Sequence, residues 1–166
     1  MKNCITLISC LILLVSYSAS QEQTQTYSTS ASQAYAELFG AGGLYSFNYD
    51  QRFTKTEKGI GFRAGFSLFG GSFFDDDGGE SVGLVVILPV GLNFLVGGKG
   101  HYFETGLGAT PVLATGGGGG VAGFAQLGYR YQPFQKQGFT FRANLTPIVG
   151  EGTGLLWFGL SGGFRW

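Results

Sequence analysis

The sequence predicts an all-β protein, an eight-stranded antiparallel up-and-down transmembrane β-barrel. Hydrophobic and polar residues alternate with a period of two through most of the chain, which is typical of strands with two distinct faces. Aromatic residues make up 16% of the sequence and charged residues only 12%, and 31 of the 166 residues are glycine. The hydrophobic content of 44% excludes a disordered chain, and the formal net charge of zero gives no electrostatic support for binding nucleic acid.

The N-terminal segment has the composition of a secretory signal peptide. Lys2 gives it a basic start, Ile5–Val15 is an almost unbroken apolar run, and small residues continue to Ser20. The apolar run holds about 11 residues, whereas a transmembrane helix needs about 20. We therefore expect residues 1–20 to be a signal peptide that is cleaved after Ser20.

Residues 21–33 are polar and show no apolar pattern, so we expect a flexible N-terminal lead-in before an outer-membrane β-barrel at residues 34–166. Both cysteines, Cys4 and Cys10, lie in the expected signal peptide. The mature chain would then lack thiols, which excludes disulfides, Cys-based metal sites and Cys nucleophiles.

Eight alternating segments follow, counted back from the C-terminus. The predicted strands cover about 34–39, 44–53, 59–69, 82–95, 101–109, 121–131, 138–149 and 155–166. Most of them are close to the 9–11 residues that a tilted strand needs to cross a bilayer. An even number of strands returns both termini to one side, as in closed bacterial barrels.

The segment Val82–Leu95 fits this pattern least well, because it is apolar on both faces. Its Pro89 cannot donate to a ladder, and a closed barrel offers no free edge for it. We expect a bulge or a local break at Pro89.

The connections between the predicted strands differ in charge at the two ends of the barrel. Every lysine outside the signal segment falls in the connections 54–58, 97–100 and 132–137. Aspartate and glutamate, with neither lysine nor arginine, occur in the opposite set 70–81, 110–120 and 150–154, which is also rich in glycine. A tight turn at Gly40-Ala41-Gly42-Gly43 joins the first two strands. This sorting favours periplasmic turns and termini at the basic end and extracellular loops at the acidic end.

The two faces of the predicted strands also differ in polarity. One face carries all the arginines and three acids, namely Glu37, Asp50, Arg52, Arg63, Glu104, Arg130, Arg142 and Arg165. The other face is close to charge-free and carries aromatic residues such as Phe141 and Phe158. A charge facing lipid at mid-bilayer costs about 2–4 kcal/mol, so we expect the charged face to point into the barrel. A soluble barrel that binds an apolar ligand would need many surface lysines and glutamates, which this chain lacks.

Eight strands enclose an interior just wide enough to be filled by side chains. We expect one layer of ion pairs to plug the lower barrel, formed by Asp50, Arg63, Glu104 and Arg142. Three arginines would lie below it, Arg52, Arg130 and Arg165. Five arginines against three acids leave an excess of two, which would be solvated at the periplasmic mouth or bind an anion. A narrow channel for small solutes is the alternative interpretation of this interior.

Candidate catalytic chemistry is sparse, and we predict no catalytic residue, metal or cofactor. The single histidine, His101, falls on the lipid-side face with no serine close in sequence. A lipid-modifying outer-membrane hydrolase is therefore only a second alternative. The acidic segment Asp75–Glu80 lacks the spaced ligands of a calcium loop and is interpreted as a solvated loop tip that could bridge to lipopolysaccharide through divalent ions.

The last predicted strand ends in Phe164 and Trp166. A final aromatic residue on an alternating strand is the feature by which outer-membrane barrels are recognised by their assembly machinery. An ordinary interfacial tryptophan anchor is the alternative for Trp166.

Several aromatic and glycine-rich stretches along the chain carry a family resemblance. They are Glu37–Gly40, Tyr45–Phe53, Pro89–Asn93, Glu104–Gly108, Gly128–Tyr131 and Phe158–Trp166. In these stretches the chain resembles a family of small, largely uncharacterised bacterial outer-membrane β-barrel proteins. The resemblance implies an integral outer-membrane protein, surrounded by lipid and lipopolysaccharide. The polarity of the alternation and the sorted loops favour a structural or surface-interaction role for the protein. The resemblance includes no catalytic motif.

Overall fold

The computed structural model describes residues 32–54, 56–74, 80–115, 119–133, 137–150 and 152–166. The expected signal peptide and nearly all of the expected lead-in lie outside these ranges. Within them, no helix has the length and apolar character needed to cross a membrane. The strands are β1 Ser32–Gly40, β2 Gly43–Arg52, β3 Gly59–Phe74, β4 Glu80–Ile87, β5 Val90–Gly98, β6 His101–Ala114, β7 Gly119–Tyr131, β8 Gly138–Gly150 and β9 Thr153–Arg165.

The strands form one closed antiparallel barrel. Except for β4 and β5, which do not pair with each other, strands adjacent in sequence are paired, and β1 pairs with β9 from Gln33↔Arg165 to Leu38↔Leu160, which closes the sheet. β4 and β5 both pair with β3 and β6, so they are two halves of one barrel strand. The barrel therefore has eight strand positions, and the predicted fold class is confirmed.

The predicted break at Pro89 is present, and it is not a bulge. Two residues separate β4 from β5. The pairs Ser67↔Ile87 and Ala64↔Val90 nevertheless belong to one continuous register with β3, and the register with β6 is continuous as well. No extra residue is inserted, so side chains on both halves keep the same inward and outward alternation.

Backbone hydrogen bonds continue the ladder across this break. Leu88 N donates to Pro111 O at 2.9 Å, and Pro89 O accepts from Gly65 N at 2.8 Å. Pro89 thus keeps its acceptor in the sheet, and its missing N–H is the one donor lost at this position. Its ring is fully buried inside the barrel.

Several strand boundaries differ from the sequence prediction. β1 begins at Ser32, two residues before the expected start, because Ser32 and Gln33 pair with Gln51 and Asp50 of β2. The expected loops 70–81 and 110–120 are partly strand, since β3 reaches Phe74 and β6 and β7 pair as far as Leu113↔Gly119. Polar and glycine-rich segments extend these strands because the ladder bonds are made by the backbone, whatever the side chain.

The barrel has two distinct ends. At the turn end lie both termini of the barrel and the connections β2–β3, β5–β6 and β7–β8. Trp166 N donates to Ser32 O at 3.2 Å and holds these termini together. At the loop end lie the connections β1–β2, β3–β4, β6–β7 and β8–β9.

Side-chain polarity is reversed relative to a soluble protein. Phe141 and Phe158 are 39% and 58% exposed, whereas Arg142 and Arg165 are 1% and 3% exposed. Among the described side chains, the buried hydrophobic residues are Tyr35, Ala41, Leu95, Tyr102 and Phe124, and most other large hydrophobic residues face outward. A soluble monomer does not expose such a continuous apolar surface. The arrangement is that of a β-barrel embedded in a membrane, as the sequence predicted.

Phe158, near the middle of β9, tests this polarity. Phe158→Arg is expected to lower the free energy of unfolding by about 2–4 kcal/mol, because the guanidinium would face hydrocarbon. Urea titration of the protein in lipid vesicles measures the change. Phe158→Leu is the matched control and should stay close to the wild type, so equal losses in the two variants would contradict an outward-facing Phe158.

Candidate functional site

The candidate site is the charged barrel interior. The alternation of each strand turns all eight predicted residues inward, and each is at most 5% exposed: Glu37, Asp50, Arg52, Arg63, Glu104, Arg130, Arg142 and Arg165. Charged groups in such surroundings need partners, because the idealised cost of transferring one ion from water to a low-dielectric medium is of order 20 kcal/mol.

Five of these residues form a central cluster in the half of the barrel nearer the turn end, namely Asp50, Arg52, Glu104, Arg130 and Arg142. Arg130 is its best-paired cation. Its Nη2 lies 2.9 Å from Asp50 Oδ2 and 2.5 Å from Glu104 Oε1, and its Nε donates to Glu104 Oε2 at 2.8 Å. This bidentate contact with Glu104 has the planar geometry that suits a guanidinium. Arg52 Nη2 donates to the other Asp50 oxygen, Oδ1, at 2.8 Å.

Arg142 is the loosely held member of the central cluster. Its Nη1 lies 3.3 Å from Glu104 Oε1, and its Nη2 lies 3.4 Å from Asp50 Oδ2. Its guanidinium carbon lies 3.8 Å from the centroid of the Tyr35 ring, which provides a cation–π contact. The cluster thus contains three guanidinium groups and two carboxylates.

Asn93, on β5, completes the central cluster and was not identified from the sequence. Its amide nitrogen donates to Asp50 and, at 3.1 Å, to Glu104, while its oxygen accepts a hydrogen bond from Arg52. Asn93 is 2% exposed. Its inward position on an alternating strand was the available signal, but a neutral amide is not distinguished by charge.

Arg63 forms a second, separate pair with Glu37. Arg63 Nη2 lies 2.6 Å from Glu37 Oε2 and donates to Asn48 Oδ1 at 2.9 Å, while Nη1 donates to Gln126 Oε1 at 2.5 Å. The expected layer of Asp50, Arg63, Glu104 and Arg142 therefore differs from the observed one. Arg63 turns to Glu37, and both oxygens of Asp50 are occupied by groups of the central cluster.

Of the three arginines expected below that layer, Arg165 lies there and the other two do not. Arg52 and Arg130 belong to the central cluster itself. Arg165 lies at the turn end, where its Nη1 lies 2.6 Å from Glu57 Oε1 and 2.8 Å from Pro133 O. Glu57 is not among the interior acids predicted from the sequence, because it belongs to the β2–β3 turn and not to a strand.

The β2–β3 turn closes the turn end of the barrel. Glu57 Oε2 accepts a hydrogen bond from Tyr102 OH at 2.9 Å, and Glu57 O accepts one from Gln132 Nε2 at 2.9 Å. Together with Arg165, these contacts attach the turn to β6, to the end of β7 and to β9. With Glu57 included, the described interior holds five arginines and four acids.

The β1–β2 connection closes the loop end from inside. We call Gly40–Gly43 the inner turn. Ala41 is only 2% exposed, and its carbonyl accepts a hydrogen bond from Thr110 Oγ1 at 3.1 Å. Gly42 O accepts one from Ser67 Oγ at 2.7 Å. Because Ser67 and Thr110 are inward residues of β3 and β6, the inner turn folds into the barrel mouth.

His101 is apart from this interior. It is exposed on the outer face, where its Nδ1 lies 2.7 Å from Tyr129 OH and its ring centroid lies 5.5 Å from that of Tyr131. The described residues contain no group of three or more side chains suited to hold a metal ion. The acidic residues Asp75–Asp77 and the glycines 116–118 lie outside the described ranges.

No protein-family model matches the chain, and no curated protein sequence matches it. Solved structures are similar to it in shape. The attachment invasion locus protein Ail of Yersinia pestis matches with 16% identity and a TM-score of 0.47, over 81% of this chain and 95% of that one. The N-terminal β-barrel domain of Pseudomonas aeruginosa OprF matches with 15% identity and a TM-score of 0.48, over the same shares.

A second structure of Ail, in complex with the heparin analogue sucrose octasulfate, matches with 14% identity and a TM-score of 0.45, again over 81% of this chain and 95% of that one. At these scores and identities, the likeness establishes neither the family nor the function of this chain.

Arg130 tests the central cluster. Arg130→Met is expected to lower the free energy of unfolding by about 3–5 kcal/mol, because it removes the closest cation of buried Glu104 and one of the cations paired with buried Asp50. Urea titration in detergent micelles measures the loss. Lys99→Met removes an exposed cation from the β5–β6 turn and should change the stability by no more than about 0.5 kcal/mol. A loss at Arg130 as small as this control would mean that the cluster does not stabilise the barrel.

Proposed function

We propose that this chain is an integral β-barrel protein of a bacterial outer membrane, with a plugged interior and a structural or surface-interaction role. The observation that carries the proposal is the reversed polarity of the barrel: an apolar outer surface around an interior of paired charges. Barrels of this type are the β-structures that span membranes, because closure leaves no unpaired edge in the lipid.

The contents of the interior favour a plug over a channel. From the loop end to the turn end, the barrel contains the inner turn, the Arg63–Glu37 pair, the central cluster and the β2–β3 turn. Charged side chains that line a conducting pore face water, whereas these contact one another across the barrel. Eight-stranded barrels have little interior space beyond that of their own side chains.

The β3–β4 hairpin supports a role at the loop end. Pairing of β3 with β2 ends at Phe47↔Phe66, but pairing of β3 with β4 continues through eight further residue pairs to Phe74↔Glu80. This hairpin thus rises above the neighbouring β1–β2 hairpin as a two-stranded ribbon. It leads to the acidic connection 75–79, which is the part we assign to contact with other molecules, including lipopolysaccharide.

The proposed orientation puts the turn end in the periplasm and the loop end outside the cell. It is supported by the position of both barrel termini at the turn end and by the lysines in the connections there. Phe164 and Trp166 point outward at this end, 52% and 42% exposed, where the barrel assembly machinery could reach them.

An enzymatic role is not part of the proposal. A lipid-modifying hydrolase would rest on His101, whose ring nitrogen contacts the hydroxyl of Tyr129. Such a hydrolase would use a serine within hydrogen-bond reach of the histidine, whereas the observed contact is with a tyrosine hydroxyl. No observation on the described residues favours this alternative.

Location and orientation can be tested with single cysteines in the mature chain. In intact cells, Asp76→Cys in the acidic connection should react with a membrane-impermeant maleimide. Lys55→Cys in the β2–β3 connection should react only after lysis. Both variants should fractionate with the outer membrane and show heat-modifiable migration in gels. Labelling at position 55 in intact cells would mean that the orientation is the opposite of the one proposed. Recovery of a detergent-free soluble monomer would rule out the membrane barrel.

The plugged interior predicts the absence of conductance. The purified protein, refolded and inserted into a planar lipid bilayer, should give no stepwise current, because turns and ion pairs block the barrel at several levels. A wide porin inserted under the same conditions is the positive control. Reproducible unit conductance steps from the pure protein would favour the narrow channel instead.

A further inference from the structure

Buried polar atoms without a hydrogen-bond partner gather around Arg142. Within the described part of the chain they include Arg142 Nε and Nη2, Thr140 Oγ1, Ser161 Oγ, Tyr35 OH and both amide atoms of Asn144. Each of these residues is at most 4% exposed. The Arg142 nitrogens and the Asn144 amide nitrogen are donors, while the three hydroxyls can donate or accept. Two buried acceptor oxygens on β1, Gln33 Oε1 and Glu37 Oε1, also have no hydrogen-bond partner.

The strand register brings these groups together. Thr140, Arg142 and Asn144 are successive inward residues of β8, and Ser161 of β9 lies directly opposite Arg142. Gly163 lies between Thr140 and Tyr35 in the pairings of β9 with β8 and β1, and it adds no side chain. Opposed residues on paired strands have Cβ atoms about 4.5–5.5 Å apart, so these polar groups can meet at one point.

The charges of the central cluster, beside these polar groups, do not balance. Arg52, Arg130 and Arg142 face two carboxylates, Asp50 and Glu104, which leaves one positive charge in excess. Arg142 carries the excess, since its contacts with the two carboxylates are the longest and neither its Nε nor its Nη2 makes a hydrogen bond. Hydroxyl groups and water can accept hydrogen bonds from Arg142, but they cannot neutralise it.

The other two acids of the described interior, Glu37 and Glu57, are paired with other arginines. Glu37 lies opposite Ser161 and its Oε1 has no hydrogen-bond partner, but its Oε2 is paired with Arg63 at 2.6 Å and its carboxylate leans toward Gly40 at the loop end. Glu57 is bound to Arg165 at the turn end. The carboxylates of the central cluster contact the Nη1 and Nη2 atoms of Arg142, so its Nε edge is the side left for another group.

We propose that the barrel interior contains a binding site for one small monovalent anion, of the size and charge of chloride, held by Arg142 with Thr140, Tyr35 and Ser161. The anion balances the central cluster and accepts the hydrogen bonds of the donors that have no partner in the chain. A polyanion fits less well, because it would exceed the single positive charge. The inner turn and the β2–β3 turn bond to inward residues at the two ends of the barrel, so we expect the anion to enter as the barrel folds.

The test is refolding from urea into detergent micelles in sodium chloride or in sodium gluconate of equal ionic strength. The urea midpoint of the wild-type protein should be higher in chloride and should saturate with chloride concentration. Arg142→Met leaves two guanidinium groups against two carboxylates, so this variant should fold with the same midpoint in both salts. A wild-type midpoint that ignores chloride, or a full chloride response in Arg142→Met, would overturn the site.

Thr140→Val provides a milder variant if Arg142→Met does not fold. It keeps the shape of the side chain but removes the hydroxyl that donates to the anion, and the chloride concentration at half-saturation should rise about tenfold, as expected for the loss of one hydrogen bond to a charged group. Thr110→Val is the matched control, because Thr110 Oγ1 is committed to the inner turn, and its chloride response should equal that of the wild type. Crystals grown in bromide should show anomalous signal beside Arg142, and signal confined to the outer surface would refute the proposal.

Discussion

The exclusion of charge from the lipid-facing surface is the constraint on which the rest of this structure depends. It sends every strand arginine inward, where each must find an acceptor. Arg130 meets Asp50 and Glu104, and so joins β7 to β2 and β6 across the interior. Arg130 and Asp50 are 80 positions apart in the chain. A slip of one residue in any of these strands would turn its charge toward hydrocarbon, so the central cluster fixes the register of strands from both halves of the barrel.

The two ends of the barrel are closed by backbone as well as by side chains. In the inner turn, two carbonyls accept hydrogen bonds from the hydroxyls of Ser67 and Thr110. In the β2–β3 turn, Glu57 O accepts a hydrogen bond from Gln132, and the Glu57 carboxylate is paired with Arg165. Folding a turn into an apolar interior would leave backbone groups unsatisfied, but this interior is polar and supplies donors. The polar lining required by the arginines therefore also makes closure by turns possible.

The fold was largely predictable from the sequence, whereas the partners inside the barrel were not. A period of two fixes which face a residue joins, and this gave the inward position of Arg142 and the outward position of Phe141. Periodicity does not determine how far a long side chain reaches along the barrel interior. The pairing of Arg63 with Glu37, and not with the central cluster, was therefore not predictable. The roles of Glu57 and Asn93 were not predictable from the sequence, because Glu57 lies in a turn and Asn93 is uncharged.

A plugged interior has a consequence for where function can lie. The charged groups are buried and engaged with one another, and the outer wall is an apolar surface suited to lipid. The surfaces left for specific contact are therefore the connections at the two ends. At the turn end these are short and partly folded over the barrel. At the loop end, the β3–β4 ribbon extends past the neighbouring hairpin and leads to an acidic connection. Under the function proposed here, the barrel serves as a rigid support and recognition is assigned to the acidic connection 75–79.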